Sequence, residues 1–242
     1  PLSFSEYLQF KTARTGKKEF NPKDEFETFL RMGGFPVLHI AEYPTEAAYR
    51  IVFDIYSSAI LRDTIQRKKI RDVELLERVV KFVLSNVGNK FSAKNVADYF
   101  KSQQRKIDLN TVYNYLSALE SAFIIDRIPR YDLMGKEILK TFEKYFTSDQ
   151  AIIYSLMGYK DRMISGVLEN IVMLELKRRG FRVFTGKWGE QEIDFVAGKS
   201  ENKLYVQVAY KMTEQSTIDR EFSSLIQIKD NHPKYVVTMD EF

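Results

Sequence analysis

The C-terminal third of the chain alternates helix-like and strand-like segments, and this pattern restricts the fold more than any other feature. Helical periodicity covers residues 165–179 and 216–229, and strand-like runs cover residues 181–185, 192–197, 204–210 and 234–238. Elements in this order let helices cover a central sheet. We therefore predict an α/β domain over residues 151–242.

The preceding residues are predicted to be mainly helical. In residues 1–72 the helical pattern is interrupted at Gly33-Gly34-Phe35-Pro36, because Gly permits unusual φ angles and Pro cannot continue a helix. In residues 73–150, three helical patterns precede β-like runs at 123–128 and 144–147, which is the order of a winged helix-turn-helix. The sequence thus predicts an α+β protein with three domains: 1–72, 73–150 and 151–242.

Composition excludes several kinds of site. The chain has no cysteine, so disulfides, thiolate metal sites and a thiol nucleophile are excluded. No apolar run reaches the ~18 residues of a membrane span, and no GxxxxGK[ST] loop is present, so the chain by itself should not bind ATP through a P-loop. We expect a cytoplasmic protein without membrane association. Because the chain begins at Pro1 and not at Met, we also expect it to be a fragment of something longer.

Positive charge is concentrated in the middle of the chain. The net charge is +4, but residues 62–130 alone carry 14 Lys and Arg against 8 Asp and Glu. Such a segment is a candidate footprint for nucleic acid, although on charge alone a solvated lysine-rich face is the more common explanation. A winged helix that serves protein packing is a nearly equal alternative. The residues placed to contact phosphates and base edges are Arg105, Lys106, Asn110, Thr111, Tyr113, Asn114, Arg127 and Arg130.

Three residues of the C-terminal segment form a candidate metal site. Glu169 falls on the apolar face of the helix predicted at 165–179, where a carboxylate needs a cation, a metal or a hydrogen-bond donor. Because strand side chains alternate between faces, Asp194 and Gln207 can point together if their strands pair. Two carboxylates and an amide oxygen are hard ligands of the kind that Mg²⁺ accepts. For Glu169, a rim position with the stem over the core is the alternative.

Seven short motifs occur in an order that resembles a known family. The chain looks like the C-terminal region of archaeal and bacterial AAA-type ATPases, in which the P-loop module is followed by a winged helix and a PD-(D/E)xK nuclease-like domain. The resemblance implies a restriction-endonuclease-like α/β/α fold for the last domain and a DNA-related role. The matching segments are residues 1–7, 33–36, 61–63, 111–116, 145–149, 168–170 and 192–195.

The resemblance also implies a metal-dependent chemistry from which this chain departs. Nucleases of this fold use Mg²⁺ or Mn²⁺, and the catalytic and metal-binding candidates here are Glu169, Asp194 and Gln207. Where many relatives have Glu-x-Lys, the chain has Gln207-Val208-Ala209, and Ala209 can neither bind a metal nor orient water. Lys211, further along the same strand face, is a candidate substitute.

The favoured interpretation is therefore a DNA-binding, nuclease-like region with weak or no cleavage. An active Mg²⁺- or Mn²⁺-dependent DNA endonuclease and a protein-interaction module are the alternatives, and whether the chain is an enzyme stays open. The implied partners are DNA and the protein's own N-terminal ATPase module. ATP binding and oligomer formation would depend on that module.

Overall fold

The computed structural model describes residues 1–17 and 19–240, and its fold is α+β, as predicted. The chain divides into two compact units. Unit 1 comprises Pro1–Ser85, Val96–Asp126 and Thr147–Asp161, and unit 2 comprises Asn86–Asn95, Arg127–Phe146 and the residues from Arg162 on. Within the described ranges, no helix combines the length and the apolar character needed to cross a membrane.

Unit 1 is helical, which confirms the helical segments expected there. A π-helical segment, Ile55–Leu61, directly joins the helices Thr45–Asp54 and Arg62–Lys68, and a short 3₁₀ turn covers Pro36–His39. The first residues of the helix Ala93–Ser102 belong to unit 2. The helices are α1 Phe4–Thr15, α2 Pro22–Met32, α3 Thr45–Asp54, α4 Arg62–Lys68, α5 Val73–Ser85, α6 Ala93–Ser102, α7 Leu109–Ser121 and α8 Gln150–Met157.

The turn after α2 requires glycine at two consecutive positions. A Cβ atom at Gly33, where φ is +78°, would lie 2.1 Å from a carboxylate oxygen of Asp149, and one at Gly34 would lie 2.3 Å from the carbonyl oxygen of Leu2. The same carboxylate accepts hydrogen bonds from the backbone N–H groups of Gly34 at 2.7 Å and Ala151 at 2.8 Å. Asp149 thus caps α8 and holds the turn at once.

The sheet of unit 2 has the strand order β2-β1-β3-β4-β5-β6. Its strands are β1 Ile125–Asp132, β2 Glu137–Thr147, β3 Arg182–Trp188, β4 Gln191–Lys199, β5 Asn202–Ala209 and β6 Lys234–Thr238, and the helices are α9 Ile164–Arg178 and α10 Gln215–Ile226. The pairs β1–β3 and β5–β6 are parallel, and β3–β4 and β4–β5 are antiparallel. Helix α9 packs against β3, β4 and β5, and α10 packs against β4, β5 and β6. The elements from α9 to β6 follow the predicted C-terminal pattern within a few residues, whereas β2 begins at Glu137, well before the predicted run at 144–147.

Strands β1 and β2 take a different place from the predicted wing. β1 pairs in parallel with β3, from Arg130↔Thr185 to Asp132↔Lys187, so the two strands extend the C-terminal sheet. The physical reason is that this pairing satisfies backbone groups that a separate hairpin would leave unpaired at its edges. The units therefore do not follow the predicted boundary between 73–150 and 151–242, because residues 86–95 and 127–146 belong with the C-terminal sheet.

Candidate functional site

Four charged side chains meet inside unit 2. The ammonium nitrogen of Lys144 lies 3.1 Å from Glu169 Oε2, 2.9 Å from Glu192 Oε1 and 3.3 Å from Asp194 Oδ1. The Lys144 side chain is only 3% exposed, so these contacts are shielded from bulk water. We call Lys144, Glu169, Glu192 and Asp194 the acid–lysine cluster.

Three elements bring the cluster together. Lys144 comes from β2, Glu169 from α9, and Glu192 and Asp194 from β4. Because side chains alternate along a strand, Lys144 shares a face of β2 with Phe146. The Phe146 side chain is fully buried and packs against Phe195, with ring centroids 5.6 Å apart. Apolar packing of the strand therefore carries the lysine into the interior.

Burial and charge oppose each other in the cluster. Burial disfavours the Lys144 ammonium, but the carboxylates of Glu169, Asp194 and Glu192 outweigh it and hold the lysine pKa above its ordinary value. Burial also raises the pKa of Glu169 to about 8, although Lys144 acts in the opposite direction. For Glu192, burial is outweighed by Lys144 and Lys90, and the pKa is lowered. One buried ammonium thus forms ion pairs with three carboxylates, and Lys90 forms a further ion pair with Glu192 at 2.9 Å.

Strands β4 and β5 separate at the cluster. Their paired residues end at Phe195 and Val206, and continuing this register would place Asp194 opposite Gln207. There, hydrogen bonds to side chains replace the backbone-to-backbone hydrogen bonds of the ladder. The N–H of Asp194 donates to Gln207 Oε1 at 2.6 Å, and the N–H of Val208 donates to Asp194 Oδ2 at 2.9 Å. The strands can therefore diverge while these backbone donors remain satisfied.

Gln207 uses its amide group within the protein. Its Oε1 accepts from the Asp194 N–H, and its Nε2 donates to Glu221 Oε2 at 3.2 Å. A backbone N–H can only donate and a carboxylate accepts, which fixes the orientation of the amide. The structure therefore brings Asp194 and Gln207 together as expected, but the amide oxygen of Gln207 accepts a hydrogen bond from the backbone N–H of Asp194. Gln207 links β4, β5 and α10.

A polar cavity of about 370 Å³ borders the three carboxylates of the cluster. The side chains of Glu169 and Asp194 are 12% and 16% exposed, so each reaches both the buried lysine and the cavity. Its walls include Glu169, Glu192, Asp194, Gln207, Arg220 and Glu221.

The donor set fits a hydrated divalent cation better than an all-protein metal cage. Among residues 1–17 and 19–240, no group of three or more His, Cys, Asp or Glu side chains is arranged to hold a metal ion. Glu169 and Asp194 nevertheless present two carboxylates to one cavity. Mg²⁺ is commonly held by one or two carboxylates, with water and substrate phosphate completing its shell, and carboxylates also suit Mn²⁺.

Lys144 is the residue that motif spacing misses. The motif points to Ala209, which is buried near the end of β5, and to Lys211, which lies beyond that strand. Lys211 is exposed, and its Nζ lies 5.4 Å from the centroid of the Tyr210 ring. The signal for Lys144 is its place in a strand two residues before the apolar Phe146, on the same face. Glu221 carries a similar signal, because it shares a face of α10 with the buried Leu225.

The predicted DNA-contacting residues are divided between the two units. On α7 of unit 1, Asn110, Tyr113 and Asn114 are exposed, with Tyr113 54% accessible. Arg105, Lys106, Asn110, Thr111, Tyr113 and Asn114 lie in unit 1, and Arg127 and Arg130 lie in unit 2.

Several of these candidates have partners inside their own unit. Arg105 forms ion pairs with Asp72 at 2.9 Å and Glu74 at 3.2 Å. The backbone N–H and the hydroxyl of Thr111 both donate to Asp108, the residue that caps α7. In unit 2, the guanidinium of Arg130 lies 6.0 Å from the centroid of the Phe142 ring. Arg105 and Thr111 therefore have structural roles whether or not DNA binds.

Two uncharacterised proteins are similar to this chain. It is 34% identical over 238 residues to a protein of Haemophilus influenzae, a match that covers 98% of this chain and 58% of that protein. It is 29% identical over 224 residues to the uncharacterized protein MJ1544 of Methanocaldococcus jannaschii, covering 88% of this chain and 49% of that protein. The chain thus spans about half the length of these curated relatives.

No solved structure matches the chain. A family model does match, and it covers residues 23–163, which include Lys144 and end before Glu169. On this match over more than half of its length, the chain belongs to the family described as a domain of unknown function (DUF8612).

Proposed function

We propose that unit 2 carries a divalent-cation-dependent phosphodiesterase site that acts on DNA. One observation carries the proposal: Lys144 Nζ lies within 3.3 Å of both Glu169 and Asp194, and these two carboxylates line a polar cavity. Two carboxylates and a lysine thereby meet at one place, as the resemblance to PD-(D/E)xK nucleases implies. In this proposal Lys144 of β2 supplies the lysine that is absent at Ala209, which favours an active site over an inactivated remnant.

Each residue has a distinct role in the proposed site. Glu169 and Asp194 would hold Mg²⁺ or Mn²⁺, which when bound supplies positive charge to the scissile phosphate and lowers the pKa of bound water. Lys144 provides a fixed positive charge that keeps the two carboxylates directed toward one point. Glu192, supported by Lys90 at 2.9 Å, holds Lys144 from the other side.

The test is cleavage of labelled single-stranded, duplex and branched DNA in Mg²⁺, in Mn²⁺ and in a chelator. We expect cation-dependent cleavage that falls to background in Asp194→Asn. Asp219→Asn is the matched control, because Asp219 is an exposed aspartate on α10 of the same unit. Cleavage that survives Asp194→Asn, or wild-type protein that is inactive with every cation and substrate, would contradict the proposal.

A second proposal is that unit 1 binds DNA through α7, and the exposed Asn110, Tyr113 and Asn114 support it. Binding should weaken steeply with salt, as counterion release requires. We expect Tyr113→Ala/Asn114→Ala to lower duplex affinity, whereas Ser117→Ala, an exposed position further along α7, should not. Salt-independent binding, or equal affinity of all three proteins, would favour a protein-interaction role.

For the whole protein, we propose an upstream ATPase module of the kind that the resemblance implies. The greater length of both relatives is consistent with such a module. ATP binding, oligomer formation and a cytoplasmic location near DNA would follow from it. The sequence encoded upstream of Pro1 tests this directly, since a P-loop there is expected and its absence would rule the module out.

A further inference from the structure

We infer that Gln207 is a positioning residue, which is held by Glu221 and fixes the backbone of Asp194 so that its carboxylate stays at the cavity, and that Gln207 is not a metal ligand. The inference rests on the proposed function of the acid–lysine cluster for its catalytic consequence. Its structural content, a clamp on Asp194, is independent of that function.

The clamp acts on both the backbone and the side chain of Asp194. The Asp194 N–H donates to Gln207 Oε1 at 2.6 Å, while the Asp194 carboxylate accepts from the Val208 N–H at 2.9 Å. Two neighbouring residues of β5 therefore fix one residue of β4. The remaining oxygen, Oδ1, is left to face Lys144 at 3.3 Å. The contact from Val208 thus orients the carboxylate, with one oxygen toward the backbone of β5 and the other toward Lys144.

Gln207 is itself held by α10. Its Nε2 donates to Glu221 Oε2 at 3.2 Å, and both residues are buried, with 7% and 8% exposure. Arg220 binds the other oxygen of Glu221 at 2.9 Å from a largely exposed position. A continuous series of contacts thus leads from α10 through Gln207 to Asp194.

The chemistry of the contacts explains why an amide occupies position 207. The side chain must accept a hydrogen bond from Asp194 and donate one to Glu221, and an amide does both. An ionised glutamate could only accept, and it would place a second negative charge beside Glu221. The glutamine is therefore matched to Glu221, which accounts for its presence where a metal-binding glutamate is the familiar choice.

Two variants of the full chain separate positioning from ligation. Gln207→Met keeps the volume but removes both hydrogen bonds. In the double variant Gln207→Glu/Glu221→Gln, the carboxylate at 207 can accept from the Asp194 N–H, and the amide at 221 can donate to that carboxylate. Both hydrogen bonds are thereby restored, and in the bond between residues 207 and 221 the donor and the acceptor have changed places. Gln215→Met, at an exposed glutamine of α10, is the control.

The measurements are hydrogen exchange of the Asp194 amide, Mn²⁺ affinity by calorimetry, and DNA cleavage. In Gln207→Met we expect faster exchange and a loss of Mn²⁺ affinity of about 10-fold, the lower end of effects seen when partners of metal ligands are removed. The double variant should recover slow exchange and wild-type Mn²⁺ affinity. If Gln207 were a ligand, the added carboxylate of the double variant would make Mn²⁺ binding tighter than in wild type.

Slow Asp194 exchange and unchanged Mn²⁺ affinity in Gln207→Met would overturn the inference. So would a double variant that behaves like Gln207→Met. Failure of the proposed function looks different, because wild-type protein would then cleave no DNA while the exchange of the Asp194 amide still followed the predicted order of variants.

Discussion

At the scale of single residues, Lys144 supplies the buried positive charge of the acid–lysine cluster. Replacing it by Met leaves the carboxylates of Glu169, Glu192 and Asp194 without their shared ammonium. We expect a loss of about 3–5 kcal/mol of unfolding free energy, the range for removing one partner of a buried ion pair. Urea denaturation measures this loss, and Lys211→Met should stay within about 0.5 kcal/mol of wild type. Equal stability of both variants would show that the cluster needs no buried cation.

His39 should make unit 1 sensitive to acid. Its buried ring donates from Nε2 to the carbonyl oxygen of Gly33 at 2.8 Å. Burial, with smaller contributions from Lys11 and Arg14, holds its pKa below the ordinary 6.5. The unfolded chain therefore binds the proton more readily, and stability falls as the pH drops below about 6.5.

The variant His39→Gln removes this titration. We expect the stability difference between wild type and His39→Gln, measured by urea denaturation, to shrink between pH 7.5 and pH 5.5. Parallel pH profiles for the two proteins would show that the His39 pKa is the same in the folded and unfolded states.

The sequence predicts some site residues and misses others for a physical reason. Face alternation on two neighbouring strands placed Asp194 with Gln207, and the structure joins them at 2.6 Å. Helical periodicity placed Glu169 on an apolar face. Both patterns are local. Lys144 meets Glu169 and Asp194 only because β2 joins the sheet through β1, and local periodicity carries no information about that neighbour.

At the scale of elements, the turn between α5 and α6 meets helix α9 at Glu169. Gly88 lies in this turn with φ +80°, and a Cβ atom there would be 3.0 Å from Glu169 Oε2. Gly189 has φ +59° and no atom within 4 Å of such a Cβ. Both glycines have a positive φ, but of the two only Gly88 would bring a Cβ atom against Glu169.

This pair of glycines allows a controlled test. We expect Gly189→Ala to cost about 1–2 kcal/mol from left-handed backbone geometry alone. Gly88→Ala should cost more, since Glu169 must also move, and it should reduce the cation-dependent activity. Thermal unfolding and cleavage assays of both variants provide the comparison. Identical behaviour would show that the turn does not position Glu169.

Element positions were predictable, whereas element neighbours were not. The strands of the C-terminal pattern lie within a few residues of their predicted ranges, because alternation and turn residues define a strand locally. The parallel pairing of β1 with β3 joins residues about 55 positions apart, such as Arg130 and Thr185. Hydrophobic pattern shows which face is buried but does not show which strand lies alongside.

At the scale of the whole molecule, the segment 151–242 should not fold alone. It lacks residues 86–95 and 127–146 of unit 2, and with them Lys144 and most of β1 and β2. Strand β3 would become an unpaired edge, and the cluster carboxylates would lose their ammonium. We expect collapsed or aggregated protein, with poor dispersion in an NMR spectrum, where the full chain gives sharp, dispersed signals. A dispersed spectrum from residues 151–242 would support the predicted domain boundary.

The chain passes from unit 1 to unit 2 and back more than once. As a result, the two units are completed at different times during synthesis. All of unit 1 has been made once residue 161 is added, but unit 2 still awaits α9 and the strands from β3 to β6. At about 5–20 residues per second, the ribosome needs several seconds for that remainder. During this interval Lys144 stays hydrated, because its carboxylate partners do not yet exist. The acid–lysine cluster can thus assemble only after unit 1 has been synthesised, around a lysine that was made earlier than its partners.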